Sequence, residues 1–289
     1  MRILSAEDTR AALPMADAIE AMRSAFGSDT ETPRRQLVGR SLVMPGRVHD
    51  RIGVKIISTT PGNPTGVVVL FDSDGSLLGL VDGPTLTAIR TGAVAGLATD
   101  LLAPHNASAF TMIGAGAMAR DQITAIREVR PIERVVVWSR DPEKASTIAD
   151  EVGGAAATTI REAVDSADIV TTATPSVTPL FDADMLRHHV HVNAIGAFTP
   201  SMVEIPPEFL REAFVVVDSR AAAAAEAGDL IQAGREPDME MAELLAGPPD
   251  RAHGRTLFKS VGVATQDVAA AAMALKNAER MRLGVTTDD

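Results

Sequence analysis

The sequence contains no cysteine and no tyrosine. Without cysteine, a disulfide framework, a thiolate metal site and a thiol nucleophile are all excluded. Aromatic residues make up only 3% of the chain, so stacking on nucleic-acid bases is not expected. Positive charge is scarce, because 27 Lys and Arg face 38 Asp and Glu and the formal net charge is −11. Since an acidic surface repels phosphate backbones and anionic membranes, we expect neither a nucleic-acid nor a membrane partner.

Long apolar runs and targeting signals are missing as well. The N-terminus turns acidic at once, and the apolar stretch from Val268 to Leu275 is far too short to cross a bilayer. We therefore expect a soluble, cytoplasmic protein. The chain has 289 residues, which suggests two domains or one large one, and 46% of them are hydrophobic.

Secondary-structure signals change character after residue 107. Residues 5–26 carry a helical stripe of apolar residues that Ser5 is able to cap, and short β runs follow from residue 37 to residue 80. From Ala109 onwards, β-branched strands alternate with helices, and a helix from Gln266 to Met281 closes the chain. Such alternation is typical of an α/β fold with a parallel sheet that is buried on both faces.

A glycine-rich turn lies between a predicted strand, residues 109–113, and a predicted helix that begins at Met118. Its sequence, Gly114-Ala-Gly-Ala117-Met118-Ala119, matches the pattern G-x-G-x-x-A. Gly114 permits a tight turn, Gly116 lets the backbone approach a pyrophosphate, and Ala119 lets the helix pack closely on the strand. The context predicts a dinucleotide site, and a merely tight strand-to-helix turn is the alternative.

The next predicted strand ends at Ser139 and Arg140, where NAD-binding domains usually place an acidic residue for the ribose hydroxyls. A hydroxyl and a guanidinium suit a 2′-phosphate, so the sequence favours NADPH over NADH. In the alternative interpretation Arg140 is only solvated and Asp141 binds the ribose.

Cations are concentrated before residue 91. Five arginines lie between Arg34 and Arg51, Lys55 lies on an apolar strand, and Arg90 lies on a helix of small apolar residues. Buried cations need partners, and an arginine binds a carboxylate through two hydrogen bonds. The pattern predicts a site for a substrate carboxylate. Surface charge, and structural ion pairs for Lys55 and Arg90, are the alternatives.

Histidines at 188, 189 and 191 raise the question of a metal site. His189 and His191 share one face if a strand extends that far, but no convincing third ligand accompanies them. We therefore expect no metal. For the carboxylates Asp218 and Asp229 we expect capping at the end of a strand and a charge at the start of a helix.

These residues belong to an ordered set of short motifs that resembles the ornithine cyclodeaminase/μ-crystallin family. The likeness runs from about residue 33 to residue 267. The set comprises Pro33-Arg34-Arg35, Val43-Met44-Pro45, Lys55, Val81-Asp82-Gly83, Leu86 to Thr91, Gly114-Ala-Gly, Asn193 to Gly196, Val217-Asp218-Ser219, Glu226 to Asp229 and Phe258 to Gly262.

The resemblance implies a homodimer with two domains in each chain. A Rossmann domain that binds NADP, residues 108–264, is inserted in a smaller α+β domain, which comprises residues 1–107 and is completed by residues 265–289. The smaller domain binds the substrate and forms the dimer. The chemistry passes a hydride between nicotinamide and the α-carbon of an amino or imino acid.

The resemblance also assigns the site residues. Arg35, Lys55 and Arg90 hold the substrate carboxylate, and Lys55 and Arg90 are the catalytic candidates. To the glycine turn and the end of the next strand, the resemblance adds Lys144 and the pair Pro64 and Thr65 as cofactor-binding residues. It also adds residues that line the nicotinamide side of the site and a segment that closes over the nicotinamide. The nicotinamide and closing residues are Thr174, Pro175, Asn193, Ile195, Gly196, Ser260, Val261 and Gly262.

One departure indicates the branch of the family. The cyclodeaminases carry an Asp two residues after the glycine that matches Gly196, where this chain has Phe198. Phenylalanine cannot transfer a proton, so the chain resembles the branch that reduces cyclic ketimines. The implied activity is reduction of Δ1-pyrroline-2-carboxylate or Δ1-piperideine-2-carboxylate to L-proline or L-pipecolate. The alternatives are an NAD-dependent amino-acid dehydrogenase, an ornithine cyclodeaminase, and a non-catalytic protein that binds NADPH and a small ligand.

Overall fold

The fold is described from a computed structural model, which covers residues 1–58, 60, 65–247 and 254–287. Its contacts divide the chain into two compact units. Unit 1 comprises Met1–Val94 and Val263–Asp289, and unit 2 comprises Ala95–Gly262. The first boundary between the units falls inside a long helix, whereas the boundary predicted from the sequence follows that helix.

The elements follow one another in a regular order along the chain. The first part has β1 (Arg2–Leu4), α1 (Ala6–Ala12), α2 (Met15–Ala25), β2 (Thr30–Glu31), β3 (Gln36–Val38), β4 (Ser41–Val48), β5 (Arg51–Ser58), β6 (Gly66–Asp72), β7 (Leu77–Asp82) and α3 (Gly83–Leu102). The middle part has β8 (Ala109–Ile113), α4 (Ala119–Val129), β9 (Arg134–Trp138), α5 (Pro142–Val152), β10 (Ala155–Ala156), α6 (Ile160–Val164), β11 (Ile169–Thr172), β12 (His191–Ala194), α7 (Pro207–Glu212), β13 (Phe214–Val217), α8 (Arg220–Glu226), α9 (Gly228–Ala233), β14 (Met239–Glu240), α10 (Met241–Ala246) and β15 (Thr256–Lys259). The last elements are α11 (Ala264–Met281) and β16 (Val285–Thr286).

The first helical region contains two helices where the sequence predicts one. Ser5 caps α1 and forms a capping box with Asp8, as expected. The helix then ends at Ala12, and α2 begins after Pro14, which stands at its N-cap position. A proline has no N–H to donate and disfavours helical geometry at the preceding residue, so the predicted continuous helix over 5–26 is wrong at Leu13 and Pro14.

Unit 1 is built on a sheet of mostly antiparallel strands. The strand order is β16-β1-β7-β6-β5-β4-β2, with β3 paired to β4. Helix α11 approaches this sheet closely over three glycines. A Cβ added at Gly46, Gly53 or Gly79 would lie within 3 Å of a side-chain atom of that helix, at 2.9, 2.8 and 2.8 Å respectively. Strands β4, β5 and β7 therefore need residues without side chains where the helix crosses them.

Unit 2 contains an eight-stranded sheet in which all the pairings are parallel. Its order is β10-β9-β8-β11-β12-β15-β13-β14, so the chain moves outward from β8 first in one direction and then in the other. Ligands of such sheets bind outside the carboxyl ends of the strands, at the point where the direction reverses. That point lies between β8 and β11, and it confirms the predicted α/β class.

Buried apolar side chains cover both faces of the sheet in unit 2. One cluster includes Val192, Phe209 and Leu257, and the other includes Phe110, Ile123 and Ile148. Burial on both faces explains the near-continuous apolar runs in these strands. Within the described ranges, no helix is both long enough and apolar enough to cross a membrane.

Candidate active site

The glycine-rich turn has the geometry that the sequence predicts. Gly114 has a φ of +111°, a region that favours glycine, and an added Cβ would lie 2.6 Å from the carbonyl oxygen of Ala173. At Gly116 an added Cβ would meet no atom of the part of the chain that the structure describes within 4 Å, so the space in front of the turn is open there. Ala119 is buried where α4 begins. The turn therefore offers backbone N–H groups to an anion such as a pyrophosphate.

A cavity of about 420 Å³ opens in front of this turn within unit 2. Several residues of the predicted cofactor site line it, namely Gly114, Gly116, Ser139, Arg140, Lys144, Thr174 and Pro175. The volume is within the usual range for small-molecule sites. An open cradle at Gly116 and polar side chains at the end of β9 fit a dinucleotide. Ala117, Met118 and Ala119 are not among the lining residues, and Pro64 lies outside the described residues.

Three polar residues that follow β9, namely Arg140, Asp141 and Lys144, have different surroundings. Asp141 caps α5 by accepting a hydrogen bond from the Lys144 backbone N–H at 3.2 Å, and its carboxylate lies 3.0 Å from Lys144 Nζ. The hydrogen bond with Lys144 holds the pKa of Asp141 below its ordinary value. Arg140 is exposed and forms no ion pair with any residue that the structure describes. The guanidinium is thus available to a ligand, while the carboxylate already has a structural task.

A buried carboxylate that the sequence analysis missed holds the loops after β11 and β12. Glu204 Oε1 accepts hydrogen bonds from the backbone N–H and the hydroxyl of Thr174, both at 2.8 Å. Its Oε2 accepts from the backbone N–H groups of Gly196, at 2.7 Å, and Ala197, at 3.1 Å. Gly196 must be a glycine here, because an added Cβ would overlap the backbone of Thr174.

Two further buried charges support Glu204. Asp229 Oδ1 accepts hydrogen bonds from the backbone N–H groups of Glu204, at 2.6 Å, and Ile205, at 2.9 Å. Its Oδ2 lies 2.9 Å from Lys259 Nζ, an ion pair that does not have hydrogen-bond geometry. Burial raises the pKa of Glu204, while the positive charge of Lys259 opposes that rise. Asp229 lies in the first turn of α9, as its predicted helix-start role requires, but it also anchors Glu204.

Asp218 performs the same task for the segment after β15. Its Oδ2 accepts hydrogen bonds from the Ser260 hydroxyl at 2.9 Å and from the backbone N–H groups of Val261 and Gly262 at 3.0 and 2.7 Å. Burial raises the pKa of Asp218, and these donors oppose that effect. The predicted closing segment is therefore fixed by a carboxylate at the end of β13.

Asn193 is fully buried, and its side chain forms hydrogen bonds with other residues of unit 2. Its Nδ2 group donates a hydrogen bond to the Thr99 hydroxyl at 2.9 Å, and its Oδ1 atom lies 3.1 Å from His191 Nε2. The other ring nitrogen of His191 lies 2.9 Å from Thr256 Oγ1, and burial lowers the pKa of His191 to about 3. His191 is thus a neutral core residue. In the described parts of the chain, no group of three or more potential ligands could hold a metal ion.

The predicted substrate cations meet in the interior of unit 1. Lys55 Nζ lies 2.8 Å from Asp267 Oδ2 and 3.5 Å from the Thr87 hydroxyl. Arg90 donates from Nε to Asp267 Oδ1 at 3.0 Å and from Nη1 to Gln266 Oε1 at 2.7 Å. The side chains of Lys55, Arg90 and Asp267 are 3%, 7% and 1% exposed. Asp267, to which the sequence analysis gave no role, joins the two cations.

Burial changes the proton affinity of this cluster. It lowers the pKa of Lys55 to about 8, and the charges of Arg90 and Arg35 lower it further while Asp267 acts in the opposite direction. Burial alone would raise the pKa of Asp267, but Lys55 and Arg90 outweigh it and lower that pKa. Lys55 can therefore gain or lose a proton near neutral pH, next to a fixed anion.

The arginines outside this cluster have different surroundings. Arg35 is half-buried and close enough to affect the pKa of Lys55. Arg47 pairs with Asp29 and Glu31, and Arg51 pairs with two aspartates. Arg35 is therefore connected electrostatically to Lys55, whereas Arg47 and Arg51 are paired with acidic side chains.

Phe198 occupies the position that distinguishes the branches of the resembled family. It lies two residues after Gly196 and is 49% exposed. An exposed phenylalanine can contact an apolar part of a ligand, but it has no group that could act as a base.

Comparisons with known proteins agree with this chemistry. The model of the ornithine cyclodeaminase/mu-crystallin family matches residues 2–281. A Δ1-pyrroline-2-carboxylate reductase from Bacillus cereus is 36% identical over 305 aligned positions, which cover 93% of this chain and 94% of the reductase.

Solved structures show the same architecture. A Δ1-pyrroline-2-carboxylate reductase from Thermococcus litoralis, in complex with NADH and L-proline, is 30% identical with a TM-score of 0.93, over 99% of this chain and all of that chain (100%). An archaeal alanine dehydrogenase, a dimer with bound NAD, is 27% identical with a TM-score of 0.92, over 100% of this chain and 99% of that chain.

Proposed function

The chain belongs to the ornithine cyclodeaminase/mu-crystallin family, and on that premise we propose that it reduces a cyclic ketimine carboxylate with NADPH. It is an NAD(P)-dependent oxidoreductase that acts on C=N bonds. The proposed substrates are Δ1-pyrroline-2-carboxylate and its six-membered homologue Δ1-piperideine-2-carboxylate, with L-proline and L-pipecolate as products. The observation that carries the proposal is the buried cluster of Lys55, Arg90 and Asp267.

The cluster suits a small acid that also has a basic nitrogen. Arg90 keeps its Nη2 group without a partner among the described residues, because Asp267 and Gln266 engage only Nε and Nη1. That group, together with Arg35, would hold the substrate carboxylate. Asp267 orients the guanidinium and prevents rotation, so the binding geometry is fixed before the substrate arrives.

Lys55 is the proposed proton donor. Transfer of its proton to the imine nitrogen makes the adjacent carbon electrophilic, and the C=N double bond becomes a C–N single bond when that carbon accepts a hydride. The reduced nicotinamide, when bound, supplies the hydride. A pKa of about 8 suits this role, since Lys55 carries its proton at neutral pH and releases it more readily than an exposed lysine.

The end of β9 supports NADPH as the preferred cofactor. Arg140 and Ser139 line the cavity of unit 2, and Asp141 is held by Lys144. A 2′-phosphate would gain a charge-assisted hydrogen bond from the guanidinium, which NADH cannot use. The Gly114–Gly116 backbone would hold the pyrophosphate.

Unit 1 also supports a homodimer. Ile52, Val54 and Ile56 of β5 point to the side of the sheet opposite Lys55, and their cross-strand partners on β6 are Phe71, Val69 and Val67. Ile52 and Ile56 are 43% and 40% exposed. Monomeric proteins rarely leave such a continuous apolar face in water, and a second copy of the chain is its proposed partner.

The test is the oxidation of NADPH in the presence of Δ1-pyrroline-2-carboxylate, with NADH in a parallel reaction and L-proline measured as product. We expect rapid turnover with NADPH and a slower rate with NADH. Turnover only with open-chain amino acids and NAD⁺ would favour the dehydrogenase alternative, which the similarity to the alanine dehydrogenase supports. Tight binding of NADPH without turnover of any imine would favour a binding protein.

A further inference from the structure

Glu204 joins two loops that are distant from it in the sequence. One loop follows β11 and contains Thr174, and the other follows β12 and contains Gly196 and Ala197. Each carboxylate oxygen accepts at least one backbone N–H, so the side chain fixes the paths of both loops. No neutral side chain of the same shape could do this, because the NH2 group of a glutamine would face a backbone N–H in either orientation.

The sheet order places both loops on one side of the switch point. Strands β11 and β12 lie beyond β8 on the side opposite β9, whose end carries Ser139 and Arg140. A dinucleotide that spans this crevice with its adenosine over β9 would extend its nicotinamide toward β11 and β12. Thr174 lines the same cavity as Gly114, so the loop that Glu204 holds borders the predicted site.

The charges of the buried residues that hold these two loops do not sum to zero. Two buried carboxylates, Glu204 and Asp229, face one ammonium, that of Lys259. The cluster formed by these three residues carries an excess negative charge behind the two loops. Electrostatic effects of such a charge are strong where water is excluded.

We propose that Glu204 is a positioning residue for the nicotinamide end of the cofactor site, where it fixes both loops and supplies a buried negative charge. The oxidised nicotinamide ring is positively charged and the reduced ring is neutral. The charge therefore increases the affinity for NADP⁺ relative to NADPH, and it stabilises the positive charge that develops when hydride leaves. This inference rests on the proposed cofactor site but not on the identity of the imine.

The experiment compares Glu204→Gln with the wild-type enzyme in equilibrium binding of NADP⁺ and NADPH, measured by calorimetry without imine. Trp138, the one tryptophan of the chain, lines the cavity and gives a second, fluorescence readout. We expect the Kd for NADP⁺ to rise about tenfold and the Kd for NADPH to rise less, so that their ratio increases about fivefold. Because no imine is present, the outcome is independent of which substrate the enzyme reduces.

The matched control is Asp168→Asn. Asp168 also accepts two backbone hydrogen bonds, from Ser108 and Ala109, both at 3.0 Å, but it does so at the start of β8. We expect this variant to keep the wild-type ratio of the two Kd values. A Glu204→Gln enzyme with a native circular-dichroism spectrum and an unchanged ratio would overturn the proposal.

Thr174→Val tests the positioning role without removing the charge, and it serves also if Glu204→Gln does not fold. Loss of the hydroxyl removes one hydrogen bond to Glu204 and leaves the carboxylate in place. We expect weaker binding of both oxidation states by a similar factor, about threefold to tenfold. Wild-type affinity for both forms would contradict the positioning role.

Discussion

Lys55 is the residue on which the proposed chemistry depends most directly. Its ammonium is buried between Asp267 and Thr87, and the pair with Asp267 keeps it charged despite burial. An unpaired charge at this depth would be strongly destabilising. The same surroundings that stabilise the fold therefore set the acidity of the proposed proton donor.

Replacement of Lys55 by methionine should remove the proton donor and keep the volume of the side chain. We expect kcat for imine reduction at saturating substrate to fall by about 10²- to 10⁴-fold. Lys276→Met is the matched control, because Lys276 is an exposed lysine of α11, and it should keep wild-type turnover. Full turnover by the Lys55→Met enzyme would exclude the proton role.

The pH dependence should show the lowered pKa of Lys55. Below about pH 8 the lysine carries its proton, so kcat/KM for imine reduction should fall as the pH rises through that value. Oxidation of L-proline needs the deprotonated lysine, and its kcat/KM should rise over the same interval. Rates measured in both directions check the sign, and parallel profiles would contradict the assignment.

Arg140 should determine the choice between the two cofactors. In Arg140→Gln we expect the KM for NADPH to rise about 10- to 100-fold, because a charge-assisted hydrogen bond to the 2′-phosphate is lost. The KM for NADH should stay within about twofold, since that cofactor has no such phosphate. Arg161→Gln, on the exposed surface of α6, controls for the general loss of positive charge. An equal change for both cofactors would indicate that Arg140 does not recognise the phosphate.

Local sequence predicts some of these residues and not others. Gly114 and Gly116 lie within a motif whose spacing has a direct physical meaning, and Arg140 follows the next strand, where such domains contact the ribose. Asp267 and Glu204 have no such local signal, because their partners are distant along the chain. Arg90 and Asp267, for example, are 177 positions apart.

At the scale of elements, the close contact between α11 and the sheet of unit 1 explains why glycines interrupt apolar strands. Gly53 would place a Cβ 2.8 Å from Cγ2 of Val268 and 3.1 Å from the carbonyl oxygen of Val69. Because backbone cannot yield as easily as a side chain, this position has little tolerance for added volume.

Gly53→Ala should therefore destabilise the protein. We expect the free energy of unfolding to fall by about 1–3 kcal/mol, as in other overpacked cores. Urea denaturation followed by circular dichroism measures the change. Gly247→Ala, where an added Cβ meets no atom of the described residues within 4 Å, should differ little from the wild-type protein. Equal stability of the two variants would contradict the close packing.

The elements of unit 2 follow from their sequence more directly than those of unit 1. Strand β8 spans Ala109–Ile113, as its apolar run predicts, and the neighbouring strands β9 and β11 are similarly apolar. These strands are buried on both faces, so their composition alone distinguishes them from the helices. The division of the region 5–26 into two helices depends on Pro14, and apolar periodicity did not reveal it.

At the scale of the whole molecule, the apolar outer face of unit 1 should control assembly. Ile56→Glu places a charge on that face, at a position that is 40% exposed, and we expect it to convert a dimer to a monomer. Size-exclusion chromatography with light scattering measures the change. Val177→Glu, at a 63% exposed position of unit 2, is the control and should remain dimeric. A monomeric wild-type protein, or a dimeric Ile56→Glu variant, would contradict the proposed interface.

The α/β class of the fold is confirmed. The assignment of substrate binding to unit 1 and of cofactor binding to unit 2 stays a prediction. The switch point of the parallel sheet and the glycine turn lie in unit 2, and the buried cations lie in unit 1. Sequence motifs identify both sets of residues. They do not reveal Glu204 or the pairing role of Asp267, because those contacts form only in the folded chain.

The charges of Lys55, Arg90 and Asp267 can also be counted as a sum. Two cations and one anion share a buried volume, and half-buried Arg35 stands nearby. One further negative charge makes the buried trio electrically neutral, whereas a neutral ligand would leave a buried cation without a counterion. The enzyme should therefore discriminate by charge as well as by shape. A carboxylate satisfies that balance at any ring size the site admits, and the uncharged amide of the same dimensions does not.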